Sequence, residues 1–222
     1  MKIKTILLVA ACLMLCGCST QNEPDGQYMV TAIGADENKN VYLQAVGFRG
    51  NESDAGPGTF TILGEGENFD EALLNAESKV SKKLSVKHCE LIIIESEMLG
   101  SDIAEFLKLC DNLEITLQAR LVTTGNVEKL LSNDGISSGT ELISLIKQNA
   151  KSSGFGGHTA IYEIKTALLT ANGDFALPFL SHGEIIEVEG LLTYKGMNPQ
   201  KKLSFEESIE YSKKKNLYEG EK

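Results

Sequence analysis

No stretch of this sequence is both long and apolar enough to cross a bilayer comfortably. The main apolar run, Ile6–Leu15, is about half the roughly 20 residues that a spanning helix needs. Tryptophan is absent and aromatics are few, but a hydrophobic content of 42% is still that of a globular protein. Positive charge is in deficit: 21 Lys and Arg stand against 31 Asp and Glu, for a net charge of -10. An acidic body repels phosphates, which argues against nucleic acid as a partner. It argues equally against flat adsorption on anionic lipid. Internal repeats and low-complexity tracts are missing too.

The signatures of catalysis are also lacking. There is no G-x-S-x-G elbow, and no nucleophile stands with a base and an orienting group. His88, His158 and His182 are scattered, and none lies at ligand spacing from another. The acids Glu65, Glu67, Asp70 and Glu71 lack EF-hand spacing and suit the solvated start of a helix. Gly154-Phe155-Gly156-Gly157 lacks the Lys-Ser/Thr and the preceding strand that a phosphate loop needs. Lys213-Lys214-Lys215 falls below the usual size of a lipid-binding cluster and suits the last turn of a helix. The expectation is therefore a chain with no enzymatic activity, cofactor or metal.

What is present begins at the N-terminus. Lys2 and Lys4 precede the apolar run, and Leu15-Cys16-Gly17-Cys18 closes it. That order is an export signal, and its last four residues read as a lipobox. The Cys18 thiol would accept a diacylglyceryl group, and cleavage would leave lipidated Cys18 as the first residue. Two acyl chains hold far better than one, since each buried methylene contributes about 0.8 kcal/mol. Cys18 is accordingly the one candidate functional residue, as the membrane anchor. The part that follows the signal carries a charge near -12. Of the other cysteines, Cys12 and Cys16 leave with the signal. Cys89 and Cys110 remain, in a compartment where disulfides form. They read as two buried free thiols, or as a bridge if their elements pack together.

Along the body, Tyr28–Asp36 and Val41–Arg49 read as strands joined by a turn at Glu37–Asn40. Gly50–Gly58 reads as a loop and Thr59–Leu63 as a third strand. Asn68 caps a helix carrying Asp70 and Glu71 in its first turn and Lys79, Lys82 and Lys83 in its last. Its core face is Phe69, Ala72, Leu73, Ala76, Val80 and Leu84. Cys89–Glu95 is a continuous apolar run, as in a buried central strand. Ser101–Cys110 is expected to be helical and Ile115–Thr123 to be a strand. Asn126–Leu131, Thr140–Lys151 and Thr159–Leu169 are expected to be helical, with a flexible break at Lys151–His158. Ile185–Tyr194 reads as a strand and Gly196–Pro199 as a turn. Ser204 and Glu207 make a capping box for a last helix. The class is α+β, with mixed β-sheets packed with helices in two small domains. The expected divisions are a lipoprotein signal peptide at 1–17, a tether at 18–27, an N-terminal α/β domain at 28–133 and a second α+β domain at 134–222.

Three pieces carry a resemblance: VTAIGAD, GEGENFDEALLNAESKVSKKL, and KHCELIIIESEMLGSDIAEFLKLCDNLEITLQARLVTTGNVEKLL. In that order they resemble the N-terminal region of the Ger(x)C lipoproteins, the C subunits of spore nutrient germinant receptors. VEGLLTYKGMNPQKKLS is a weaker match. The resemblance implies a non-enzymatic subunit acting in spore germination, by scaffolding or assembly with integral membrane subunits. It implies A- and B-type receptor subunits as partners. It also implies a place on the outer face of the cytoplasmic membrane, the spore inner membrane. It gives His88 a capping or hydrogen-bonding role at the start of the buried strand. It also implies a short form, with Lys222 falling about where the family's third domain would start. The alternative reading is an extracytoplasmic lipoprotein that binds or senses a small ligand.

Overall fold

A computed structural model describes residues 26–47, 58–132, 139–157, 159–183, 185–215 and 217. The organising element is the LIIIE run. It forms β5 (Leu91–Glu95), whose Leu91, Ile92, Ile93 and Ile94 are wholly buried. Burial of each such side chain contributes about 2 kcal/mol. Successive side chains of a strand point to opposite faces, so this run is buried because both faces of the sheet are covered. Ile92 and Ile94 belong to one hydrophobic cluster, Leu91 and Ile93 to the other.

β5 pairs in parallel with β1 (Gln27–Ala35) on one side and β6 (Arg120–Thr124) on the other. β1 turns back into β2 (Val41–Gly47), and β2 pairs antiparallel with β3 (Gly58–Gly64). β6 pairs in parallel with β7 (Asp174–His182). β7 continues antiparallel through β8 (Ile186–Lys195) to β9 (Asn198–Leu203). The order is β3-β2-β1-β5-β6-β7-β8-β9, with β4 (Lys83–Ser85) beside the first residues of β1. The α+β expectation is met by this mixed sheet with helices packed on both faces. The expected boundary between 133 and 134 lies outside the described residues. The strands on either side of it meet in one sheet at Thr123↔Phe179 and Thr124↔Leu180.

One face carries α1 (Phe69–Ser78), α2 (Gly100–Asn112) and α5 (Ile161–Leu168). The other carries α3 (Val127–Leu131), α4 (Gly139–Ser153) and α6 (Phe205–Lys215). The caps follow local chemistry. Asn68 Oδ1 accepts from Glu71 N at 2.9 Å, and Asn126 Oδ1 from Lys129 N at 2.7 Å. Ser204 and Glu207 bond reciprocally at 2.9 and 3.2 Å. Gly64 allows α1 to approach β3 closely, because a Cβ there would stand 1.9 Å from the Ala72 carbonyl oxygen.

Four local expectations are corrected. Helix α1 ends at Ser78, so Lys79, Lys82 and Lys83 are not its last turn, and Leu84 is buried from β4 instead. The cause is tertiary: Lys83, Leu84 and Ser85 pair with Gln27, Tyr28 and Met29. Ile115–Ala119 is a turn rather than strand. Glu114 takes a left-handed φ of 57°, and Ala119 N bonds the Thr116 carbonyl at 2.9 Å. Residues 154–157 are packed rather than a flexible break. Phe155 is buried and stacks on Phe205 at 5.6 Å, and Gly156 N donates to Ser212 Oγ at 3.0 Å. Asn198–Pro199, expected in a turn, begins β9. The turn is made by Gly196 at φ 57° and by Met197.

Candidate functional site

Cys18 lies outside the described residues, as do His158 and residues 50–57. His88 ends a 3-10 turn, Val86–His88, with its ring exposed and without a hydrogen bond among the described residues. The start of β5 is held instead by backbone bonds, Cys89 N to the Val86 carbonyl at 2.9 Å and Glu90 N to the Thr31 carbonyl at 3.2 Å. His182 closes β7, far from His88 in the strand order. Cys89 and Cys110 are free and share one core cluster. Burial pushes the Cys89 thiol up to about 12 and the Cys110 thiol well above its ordinary value. Neither thiol is a nucleophile at neutral pH. Glu65 pairs with Lys79 at 3.6 Å, and Glu71 accepts from Glu67 N at 3.1 Å. Among the described residues no group of three or more His, Cys, Asp or Glu could hold a metal.

Two polar arrangements remain. The first lies at the carboxyl ends of β1 and β5. Buried Asp36 accepts from Asn38 N and Asn40 N at 2.9 Å, from Asn40 Nδ2 at 2.8 Å and from the Tyr42 hydroxyl at 3.0 Å. Burial and this carboxylate together raise the Tyr42 phenol above its ordinary range. Glu95 accepts from Val127 N at 3.1 Å. Burial raises its carboxyl, the bond from Val127 opposes this, and Asp36 adds to it. These groups fix the β1–β2 turn and dock α3. Their acceptors are consumed by the fold, so they offer a ligand little.

The second is a groove of about 610 Å³ at the amino ends of β5 and β6. Glu90 and Arg120 stand where these strands start, and Arg120 N bonds the Glu90 carbonyl at 2.8 Å. The turn before β6 contributes Leu117, α4 contributes Ile143 and Lys147, and α5 contributes Tyr162 and Glu163. The Arg120 guanidinium donates to the Thr159 hydroxyl. The Glu163 carboxylate accepts from Thr159 N and Ala160 N, each at 2.9 Å, which closes the start of α5. Leu117 and Tyr162 are each 50% exposed on the rim. Charges of both signs beside apolar surface suit binding; no activated nucleophile lines the groove. Its lining comes from four separated segments, so no local sequence pattern marks it.

Comparison with known proteins gives the context. Residues 20–182 match the family model described as the spore germination protein N-terminal domain. The spore germination protein KC of Bacillus subtilis (strain 168) is 26% identical over 130 residues, covering 54% of this chain and 31% of that protein. The match therefore spans about a third of that relative's length. No solved structure matches. The family match takes in well over half of the residues and both sides of the β6–β7 junction, and the chain belongs to the Ger(x)C family of spore germination proteins.

Proposed function

We propose that this chain is a non-enzymatic, lipid-anchored subunit of a germinant-receptor-like complex, held to the outer face of the membrane through Cys18. The observation that carries the reading is the family match over residues 20–182. The lipobox at Leu15–Cys18 supplies the anchor. The protein acts by being placed: acyl chains confine the domain to the bilayer surface, which raises its effective concentration beside integral A- and B-type subunits. The segment Arg49–Gly58 and the last helical turn of α2 around Asp111 are the proposed contacts. Asp111 is exposed and pairs with Lys165 of α5 at 2.7 Å. Charge reversal at Asp111 should weaken assembly, and unaltered assembly would remove that contact from the proposal.

The test is co-purification from spore membranes. Recovery of A- and B-type subunits with the chain is the expected result; their absence at normal expression overturns the reading. Cys18→Ala should give an uncleaved precursor without lipid label, and a normally processed, labelled product would refute the anchor. The groove lined by Glu90, Leu117, Arg120, Lys147 and Tyr162 favours the second reading, capture of a small ligand. A ligand-dependent rise in Tm would favour it, provided that changing Lys147 abolishes the rise.

A further inference from the structure

Because α1 ends at Ser78, the lysines that follow it do not serve its last turn. Between Ser78 and Cys89 the chain carries Lys79, Lys82, Lys83, Lys87 and His88 and no acid, although the protein as a whole is at -10. These residues lie on β4 and the turns around it. β4 runs beside the first three residues of β1, with Lys83 opposite Gln27. Gln27 is where the chain emerges from the segment that follows Cys18. Nine residue steps separate Cys18 from Gln27, and at about 3.5 Å each they reach roughly 30 Å at most. The fold therefore sets its basic segment at the point where the anchor leaves.

We propose that this face, Lys82, Lys83 and Lys87 with His88, docks on anionic phospholipid beside the anchor and sets the domain's orientation on the membrane. Three lysines are too few to recruit the protein; the acyl chains do that, so the basic face only orients what the anchor already holds. The proposal rests on the Cys18 anchor described above. Lys79 is excluded, because it is spent on Glu65 and on the Leu63 carbonyl at 2.8 Å. Lys82 Nζ lies 5.4 Å from the centre of the Tyr28 ring, which holds it on this face. Lys83, Lys87 and His88 are exposed and form no ion pair among the described residues. Met29, opposite Ser85 of β4, is 41% exposed and adds an apolar contact at the same place.

The occupant follows from charge and distance. A basic segment attracts an anionic surface only within about 8 Å at physiological ionic strength, and the tether brings it within reach of one surface, the bilayer that holds the lipid. The acidic remainder is repelled by the same surface. Attraction on one face and repulsion elsewhere together produce an orientation, where a uniformly acidic body would merely be held off.

The test uses the full lipidated chain on vesicles of phosphatidylcholine, with and without phosphatidylglycerol. An amine-reactive acetylating reagent is applied and each lysine's modification is read by mass spectrometry. Lys83 and Lys87 should label severalfold more slowly on phosphatidylglycerol, with the difference abolished by high salt. Lys214, on α6 at the other end of the sheet, should not change. Equal labelling of Lys83 and Lys87 on both vesicles overturns the proposal and leaves the anchor intact. Slower labelling of Lys214 in their place overturns it as well. Loss of the chain from both vesicles overturns the anchor, and with it the proposal that rests on it.

Discussion

Tyr42 and Tyr194 are both buried in the sheet, one near each end, and the fold treats their hydroxyls differently. Tyr42 donates to Asp36, whose carboxylate also gathers two backbone N–H groups and the Asn40 amide. Tyr194 stacks face to face on Phe175 with ring centres 4.8 Å apart. Its hydroxyl lies by that of Thr123, but the two meet without the geometry of a hydrogen bond. Burial raises the phenol of each. At these two tyrosines the first end is therefore fixed by directional bonds and the second by ring packing. A buried polar group left unpaired costs about 1–3 kcal/mol, so the two ends should respond in opposite ways when a polar atom is removed.

The largest effect is expected at Asp36. Asp36→Ala takes away four accepted bonds and leaves the Tyr42 hydroxyl and two N–H groups without their partner. A loss of about 3 kcal/mol is expected, seen as a fall in Tm of roughly 10 °C for a chain of this length. A fall of a degree or two would show that the bonds at this end matter no more than the packing at the other.

That end was also the more legible in the sequence, for a physical reason. Asp36 to Asn40 contains its own hydrogen-bonding partners, so the turn is a local matter, and the apolar run of β5 states its own burial. At the far end, β7 is DFALPFLSH, which neither alternates nor avoids proline. It tolerates Pro178 because its pairing with β6 begins only at Phe179, so at Pro178 the strand has a free side. β4 and the polar β9 exist through their neighbours and carry little signal themselves. The groove was hidden for the same reason. It forms only when Glu90, Arg120, Lys147 and Tyr162 are brought together by the fold. The Ser204–Glu207 box, like the Glu37–Asn40 turn, is local and legible in the sequence.

Ser212→Ala tests whether the far end has any bond of comparable weight. Ser212 Oγ accepts from Gly156 N at 3.0 Å and lies 2.6 Å from the Gly156 carbonyl and 2.7 Å from that of Ser208. Its loss orphans a buried N–H that ties the 154–157 segment to α6. A cost of about 2 kcal/mol is expected, with proteolysis appearing first near Gly154. Tyr42→Phe follows with about 1.5 kcal/mol, the weight of one hydrogen bond to a charged group. Both are read from denaturant unfolding.

Glu95→Gln sharpens the comparison within the first end. Burial raises the Glu95 carboxyl, so ionisation is easier in the unfolded chain than in the folded one. The charge therefore costs stability above the raised value, and the cost fades as pH falls toward the ordinary carboxylate value of about 4.3. Glutamine keeps an acceptor for Val127 N. The variant should be at least as stable as the parent at pH 7, with the advantage shrinking in acid. A variant less stable at pH 7 would mean that the bond to Val127 needs the full charge.

Tyr194→Phe carries the smallest expected change and decides the comparison. The substitution keeps the ring that stacks on Phe175 and removes a hydroxyl with no hydrogen bond among the described residues. Thr123 Oγ1 is left as it was, buried and without a hydrogen bond among the described residues. The change should fall within about 0.5 kcal/mol of zero, on the stabilising side if anywhere, since one fewer polar atom is held away from water. Measured beside Tyr42→Phe under the same conditions, it isolates the hydroxyl from the ring at each end of one sheet. Equal losses in the two variants would mean that Tyr194 finds a partner in solution, and that both ends of the sheet depend on directional bonds.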